Sequence, residues 1–386
     1  MNILLVTETY LPWITGVSVS TDNIAKFLAK NGHKVTIVCP KQLVKGVVPP
    51  RKNITVINVP SIPFTFYNRS AFSIFPVTFF IIQKLIKKEK IDIIHIQEPG
   101  WTGVAALSAA KINKVPVFGA LHFIPEQIDR VLWGSAERIL TPVINIFVRF
   151  IYDRYDAIMT PSHFFKSYLK FLGVKKPIEV ISNGVDTKEF APRSKNLSFR
   201  KKYKIPEKSV LFFYLGRLDG DKNVGTLVKA MKYTNSKVHI LIVGKGKIIG
   251  YLHDLSKKEG SSSKITWIEY ITNEEMVPAY NASDVFTIVS PYEGQSIVAL
   301  QAAASGLPIV AADAGALPEI CRDGENGFLV HTYDYKTLAE KMNKLAADRN
   351  LREEFGKESR RISLLHTRSV IFKQIEDEYK KLISNR

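Results

Sequence analysis

The chain has 386 residues but only two cysteines, Cys39 and Cys321, far apart and each in an apolar setting. They read as buried free thiols rather than as a disulfide or thiolate-metal framework. Long apolar runs are also missing: the nearest to one, residues 71–83, is broken by Pro76, so no segment reaches the ~18 uninterrupted apolar residues of a membrane span. The opening MNILLV is a strand pattern without the basic, apolar and small-residue order of an export signal. A cytoplasmic location is therefore expected, with peripheral contact at the inner face of a membrane left open by the charge. Acid is in short supply, with 36 Asp and Glu against 54 Lys and Arg and a net charge of +18. The excess is spread out, 23 basic against 13 acidic in residues 1–190 and 31 against 23 in the remainder, so no basic tail exists. Such a field attracts anionic membranes, nucleic acids or phosphorylated ligands without choosing among them. Internal repeats and low-complexity segments are absent.

What the chain does contain is globular: 46% hydrophobic and 23% charged residues, in a length too great for one ordinary core. Short apolar runs alternate with helical patterns throughout, the signature of parallel sheets covered by helices on both faces. A polar, basic stretch at residues 190–206, bounded by Pro192 and Pro206, interrupts the alternation. The reading is α/β, two doubly wound Rossmann-like domains at 1–190 and 191–365 facing across a cleft, with a last helix in 366–386 packing back on the first. In this architecture ligands sit outside the carboxyl ends of the strands.

Two segments carry the chemistry. Residues 290–310, SPYEGQSIVALQAAASGLPIV, join a loop containing Glu293 to a small-residue helix starting near Gln295 and ending before Gly306. The helix start turns unpaired N–H groups toward that loop, a natural floor for an anion. Residues 216–223 place Arg217 and Lys222 five positions apart after a strand, spaced to grip a diphosphate from two sides, or equally to lie in a solvated turn. Asp219-Gly220-Asp221 imitates a metal site, but the adjacent cations already balance its charge, so no metal is expected. The turn Gly244-Lys245-Gly246 lacks dinucleotide-loop spacing and reads as a small turn beside a nucleotide. Two further stretches, 64–90 and 143–154, mix aromatic residues with Lys84, Lys87, Lys88, Lys90, Arg149 and Arg154, as membrane-surface helices do, although sheet-covering helices look alike.

Taken in order, Thr7-Glu8-Thr9-Tyr10-Leu11-Pro12 with Thr15-Gly16-Val17, Gly119-Ala120-Leu121-His122, Asn183-Gly184-Val185-Asp186, Gly216-Arg217 with Lys222, and Glu293-Gly294 leading to Ala303, Ser305, Gly306 and Pro308 resemble a GT-B fold, retaining glycosyltransferase of family 4. The resemblance extends over nearly the whole chain and leans toward members that glucosylate diacylglycerol or other lipids. It implies a hexosyltransferase acting on a nucleotide diphosphate sugar, with UDP-glucose as the expected donor and a membrane lipid hydroxyl as the expected acceptor. The alternatives are a GDP-mannose-dependent mannosyltransferase on a lipid or polysaccharide, or a nucleotide-sugar-binding protein without turnover. By the same resemblance Arg217 and Lys222 neutralise the diphosphate, His122 and Glu293 orient the sugar, and Gly16, Val17, Gly216, Gly244, Ile271, Gly294, Gln295, Ser296, Ile297 and Gln301 line the donor, with Tyr280 near its base. Cofactors, metal ions and nucleic acid are not expected. Gln301 stands where the family has a second glutamate on the ribose, so weaker or altered donor binding is expected there.

Overall fold

The computed structural model describes residues 1–385 except 14, 43–45, 47–48, 65–69 and 123–136. Part of the aromatic stretch 64–90 thus lies outside the described residues. The chain forms two compact units, Met1–Asn183 with Ser369–Arg386, and Gly184–Arg368.

In the first unit the strands are β1 (Asn2–Val6), β2 (Lys34–Pro40), β3 (Ile54–Val59), β4 (Ser61–Phe64), β5 (Ser70–Ser73), β6 (Ile93–Ile96), β7 (Val117–Ala120), β8 (Ala157–Thr160) and β9 (Ile178–Val180). Seven of them form one parallel sheet in the order β3-β2-β1-β6-β7-β8-β9, and β4 and β5 pair as a separate antiparallel ribbon. Every residue of β6, β7 and β8 is buried, which is why these strands read as near-continuous apolar runs, His95 and Thr160 apart, rather than alternating ones. Alternate side chains still sort to opposite faces. Ile3 and Leu5 pack with Ile24 and Leu28 of helix Gly16–Lys30 and with Ile371, Phe372 and Tyr379 of helix Arg368–Ser384. Leu4 and Val6 pack with Ile82 and Ile86 of helix Phe75–Glu89, Ala105 of helix Trp101–Asn113, and Val148 of helix Glu137–Tyr152.

In the second unit β10 (Val210–Leu215), β11 (Val238–Val243), β12 (Ile265–Ile268), β13 (Val285–Ile288), β14 (Ile309–Ala312) and β15 (Gly327–Val330) form a parallel sheet ordered β12-β11-β10-β13-β14-β15. The strand order reverses at β10, between β11 and β13. The loops leaving β10 and β13 therefore diverge at a topological switch point, the place where such sheets bind ligands.

The polar stretch 190–206, expected to mark the boundary between domains, belongs to the second unit, whose core buries Phe190, Phe199 and Ile205. Its basic character comes partly from Arg200, which is fully buried. Arg200 Nε donates to the Ala282 carbonyl at 2.8 Å and its Nη2 pairs with Asp284 at 2.7 Å. A buried, fully paired arginine and an exposed one look alike in a sequence.

Candidate active site

The loop after β10 carries the two cations. Leu218 N–H donates to the Lys245 carbonyl at 2.8 Å, and Ile248 N–H to the Leu218 carbonyl at 3.1 Å, which straps this loop to the one after β11. Gly244 makes the strap possible: its φ is +156°, and a Cβ there would lie 1.8 Å from the Gly216 carbonyl oxygen. Its lack of a side chain thus serves loop-on-loop packing, a different reason from the nucleotide approach expected of it. Within the loop Arg217 bonds both Asp219 and Asp221, the latter at 2.7 Å. The Asp-x-Asp carboxylates are therefore held by one guanidinium, and Lys222 is not shared with them. Lys222 Nζ reaches across to Glu293 Oε1 at 2.6 Å, with both side chains mostly enclosed (19% and 14% exposed).

Glu293 lies in the loop after β13. Its carbonyl accepts the Ala316 N–H at 2.8 Å, and Gly315, at φ +58°, packs so closely that a Cβ would come within 2.6 Å of that same carbonyl. The following helix spans Ile297–Ala304, two residues later than expected, because Ser296 is its cap: its Oγ accepts the Ala299 N–H at 3.2 Å. That bond engages the third helical N–H, and the N–H groups of Ile297 and Val298 have no intrahelical acceptor. Gly294 and Ser296 are buried and Gln295 half-buried in the connection. Lys222, Glu293 and the start of this helix thus form one constellation, with Arg217 on the loop that delivers Lys222.

Ile271 is a core side chain of this unit, which leaves its backbone for a ligand, the kind of contact expected around residues 269–272. Tyr280 is fully buried, stacked edge-on against Phe190 and Phe213, and bonds the Val298 carbonyl at 3.0 Å, so its ring belongs to the core. The same O–H is shared with Gln301 Oε1, also at 3.0 Å. The amide that replaces the family's glutamate is therefore tied from below by a tyrosine.

In the first unit Gly16 and Val17 are the first two residues of helix Gly16–Lys30, where N–H groups have no partner within the helix. Thr15 and Ser18 close a reciprocal capping box just behind them, with the Ser18 N–H donating to Thr15 Oγ1 at 3.0 Å. His122 follows β7, and its Nε2 lies 2.9 Å from Gln97 Oε1. Burial pulls the His122 imidazole down to about 4, so the ring is neutral at physiological pH. Gln97 leads on to His95 and then to Tyr379. Sequence reading missed this line, although His95 and Gln97, two apart across a strand end, project to one face.

A carboxylate pair was also missed. Glu8 accepts from the Thr102 N–H at 2.7 Å, Thr102 Oγ1 at 2.8 Å and the Gly103 N–H at 3.2 Å, at the start of helix Trp101–Asn113. Burial, and then the charge of Glu98, push Glu8 up to about 7. Glu98 takes the Glu8 N–H at 2.8 Å and Thr7 Oγ1 at 2.9 Å, pinning the loop that leads toward Gly16. Among the described residues no group of His, Cys, Asp and Glu is arranged to hold a metal ion, and no helix is long and apolar enough to cross a membrane.

Two parallel-sheet units, with a cation pair after one strand and a capped small-residue helix after another, have the architecture of GT-B glycosyltransferases. The profile described as Glycosyltransferase Family 4 matches residues 14–189 and that described as Glycosyl transferases group 1 matches residues 196–362. The chain belongs to these glycosyltransferases. It is 29% identical to the sulfoquinovosyl transferase SQD2 of Arabidopsis thaliana, over 92% of this chain and 69% of that protein. It is 26% identical to the alpha-monoglucosyldiacylglycerol synthase of Streptococcus pneumoniae, over 92% of this chain and 84% of that one. Among solved structures, sucrose-phosphate synthase of Thermosynechococcus elongatus superposes with a TM-score of 0.85 at 20% identity over the full length of both chains. Anabaena Alr3699/HepE in complex with UDP superposes at 0.82 with 18% identity, over 99% of this chain and all of that one.

Proposed function

We propose that the chain is a retaining glucosyltransferase that moves glucose from UDP-glucose to a hydroxyl of a membrane lipid such as diacylglycerol. The Lys222–Glu293 pair above the start of helix Ile297–Ala304 carries this reading. It sets a cation for the diphosphate beside a carboxylate for sugar hydroxyls, each presented by a separate loop. Arg217 and Lys222 stabilise the charge that develops on the departing diphosphate, in place of a divalent cation. On this reading Gly16 and Val17 give further N–H donors, and His122 contacts a hydroxyl of the transferred sugar. Gly216, Gly244, Gly294, Gln295, Ser296 and Ile297 supply backbone around the donor, and Gln301 meets the ribose as a neutral partner.

No carboxylate is assigned as a nucleophile: Glu293 is given to the sugar hydroxyls. The acceptor oxygen attacks the anomeric carbon on the face the diphosphate leaves, the glycosidic bond to phosphate breaks, and a phosphate oxygen takes the acceptor's proton.

The lipid acceptor is supported by the relative named for glucosyl-diacylglycerol and by apolar surface in the first unit. Phe80 is 65% exposed on helix Phe75–Glu89 beside Lys84, Lys87 and Lys88, and Ile146 is 70% exposed on helix Glu137–Tyr152, with Phe147, Phe150 and Arg149 nearby. Such faces suit peripheral contact with an anionic bilayer.

A donor screen with mass detection of glycosylated lipid extract tests the assignment. UDP-glucose with diacylglycerol is expected to yield product, with EDTA present and absent alike. Transfer only from GDP-mannose would replace donor and acceptor together, and tight nucleotide binding without release from any donor would replace catalysis by binding.

A further inference from the structure

A line of four polar side chains crosses the first unit from His122 to the last helix. Gln97 lies 2.9 Å from His122 Nε2 through one end of its amide and 3.0 Å from His95 Nε2 through the other, and His95 Nδ1 lies 2.5 Å from the Tyr379 hydroxyl. Gln97, His95 and Tyr379 are wholly buried, and the His95 ring is boxed by Phe118 at 5.1 Å and Tyr379 at 5.6 Å. Burial holds His95 down at about 3 and His122 at about 4, so both imidazoles are neutral and each has a single N–H. The protonated nitrogen of one ring then decides that of the other.

The amide of Gln97 has two possible senses, and the network selects between them. If its oxygen faces His122, His95 must accept at Nε2 and donate from Nδ1 to the Tyr379 oxygen. The buried phenol hydrogen then meets no acceptor among the described residues, since His95 is the hydroxyl's one partner there. With the amide turned, Tyr379 O–H donates to His95 Nδ1, His95 Nε2–H donates to the amide oxygen, and the amide N–H donates to His122 Nε2. The phenol and the His95 ring are then satisfied, and the remaining donor, His122 Nδ1–H, lies at the half-buried end of the line; a wholly buried donor without an acceptor is the costlier outcome.

We infer that Tyr379, His95 and Gln97 are positioning residues that fix the ring of His122 with its proton on Nδ1, so that His122 offers a sugar oxygen a donor. This deepens the proposed role of His122 and rests on it. It also gives the terminal helix a task in catalysis: Tyr379 stands 284 positions from His95 in the chain and sets the protonation pattern at the sugar contact.

The test is nitrogen-15 NMR of the full-length protein with labelled histidine, assigned with single His variants, together with steady-state transfer kinetics. Wild type is expected to show His122 as the Nδ1–H tautomer and His95 as the Nε2–H tautomer; the reverse pattern overturns the relay. Tyr379→Phe is expected to turn the His122 signal into a mixture and to lower kcat about tenfold, the worth of one hydrogen bond, with little change in donor KM. An unchanged tautomer and kcat in that variant would also overturn it. Should Tyr379→Phe fail to fold, Gln97→Glu replaces it: two acceptor oxygens draw the proton of His122 to Nε2, and a spectrum still showing Nδ1–H contradicts the inference. Unchanged transfer by His122→Ala would remove the sugar contact itself, while the tautomer pattern would still decide the relay.

Discussion

Replacing Lys222 by Ala separates a catalytic cation from a merely structural one. In the resting site Lys222 holds Glu293 at 2.6 Å, and both groups retain some solvent contact. Losing a pair this enclosed, with Glu293 left unpaired, costs folding about 2 kcal/mol. Losing a group aimed at charge that grows in the transition state costs about 3 kcal/mol, a fall of ~10²-fold in kcat. The melting temperature is thus expected to fall by roughly 5 °C, leaving the enzyme folded under assay conditions, while kcat for transfer collapses, and Lys222→Arg is expected to recover part of both losses because the charge remains. Glu293→Gln supplies the control. If Lys222 acted only by orienting Glu293, then Lys222→Ala in a Glu293→Gln background would cost nothing further; a further loss of about tenfold or more is expected, read as a non-additive cycle. A Lys222→Ala enzyme within about threefold of wild-type kcat would refute the reasoning.

Gly244→Ala places a Cβ against the Gly216 carbonyl and is expected to cost about 2 kcal/mol, lowering the melting temperature by roughly 5 °C. It should also lower kcat, since the Arg217 loop must shift; full activity at unchanged melting temperature would contradict the strap. Glu8 titrates near 7 when folded against 4.5 as a free side chain, so the folded state holds its proton more tightly. Its contribution to stability is present below about 4.5 and is lost as pH rises through 7. Glu8→Gln is therefore expected to flatten the decline of melting temperature across that window, and an unaltered profile would count against it. Vesicles containing anionic lipid are expected to retain wild-type protein and to retain less of a Phe80→Ser, Ile146→Ser variant, measured by sedimentation; equal retention would remove the apolar faces from the account.

Much of the fold is legible along the chain because parallel strands buried on both faces must be short, continuous apolar runs, and β1, β6, β11 and β13 all announce themselves that way. The loops after β10 and β13 are legible too, since turn formers next to charges and a small-residue helix are local patterns. Partner choice is not local. Nothing in residues 216–223 says that Arg217 takes both aspartates while Lys222 takes Glu293, 71 positions away. Gln301 looks like a simple loss of charge until the buried Tyr280 is found bonded to it. The stretch 190–206 hides its burial for a related reason: Arg200 reads as a surface charge and lies in a core. The relay behind His122 needs a residue from the far end of the chain, which no spacing rule could supply.

The central claim, that Arg217 and Lys222 receive the donor's diphosphate, is tested most directly by a crystal structure with UDP bound. The account expects phosphate oxygens within hydrogen-bonding distance of both side chains, with the Lys222–Glu293 contact loosened in exchange. A diphosphate seated elsewhere, with Lys222 still closed on Glu293 and Arg217 still on its two aspartates, would contradict it.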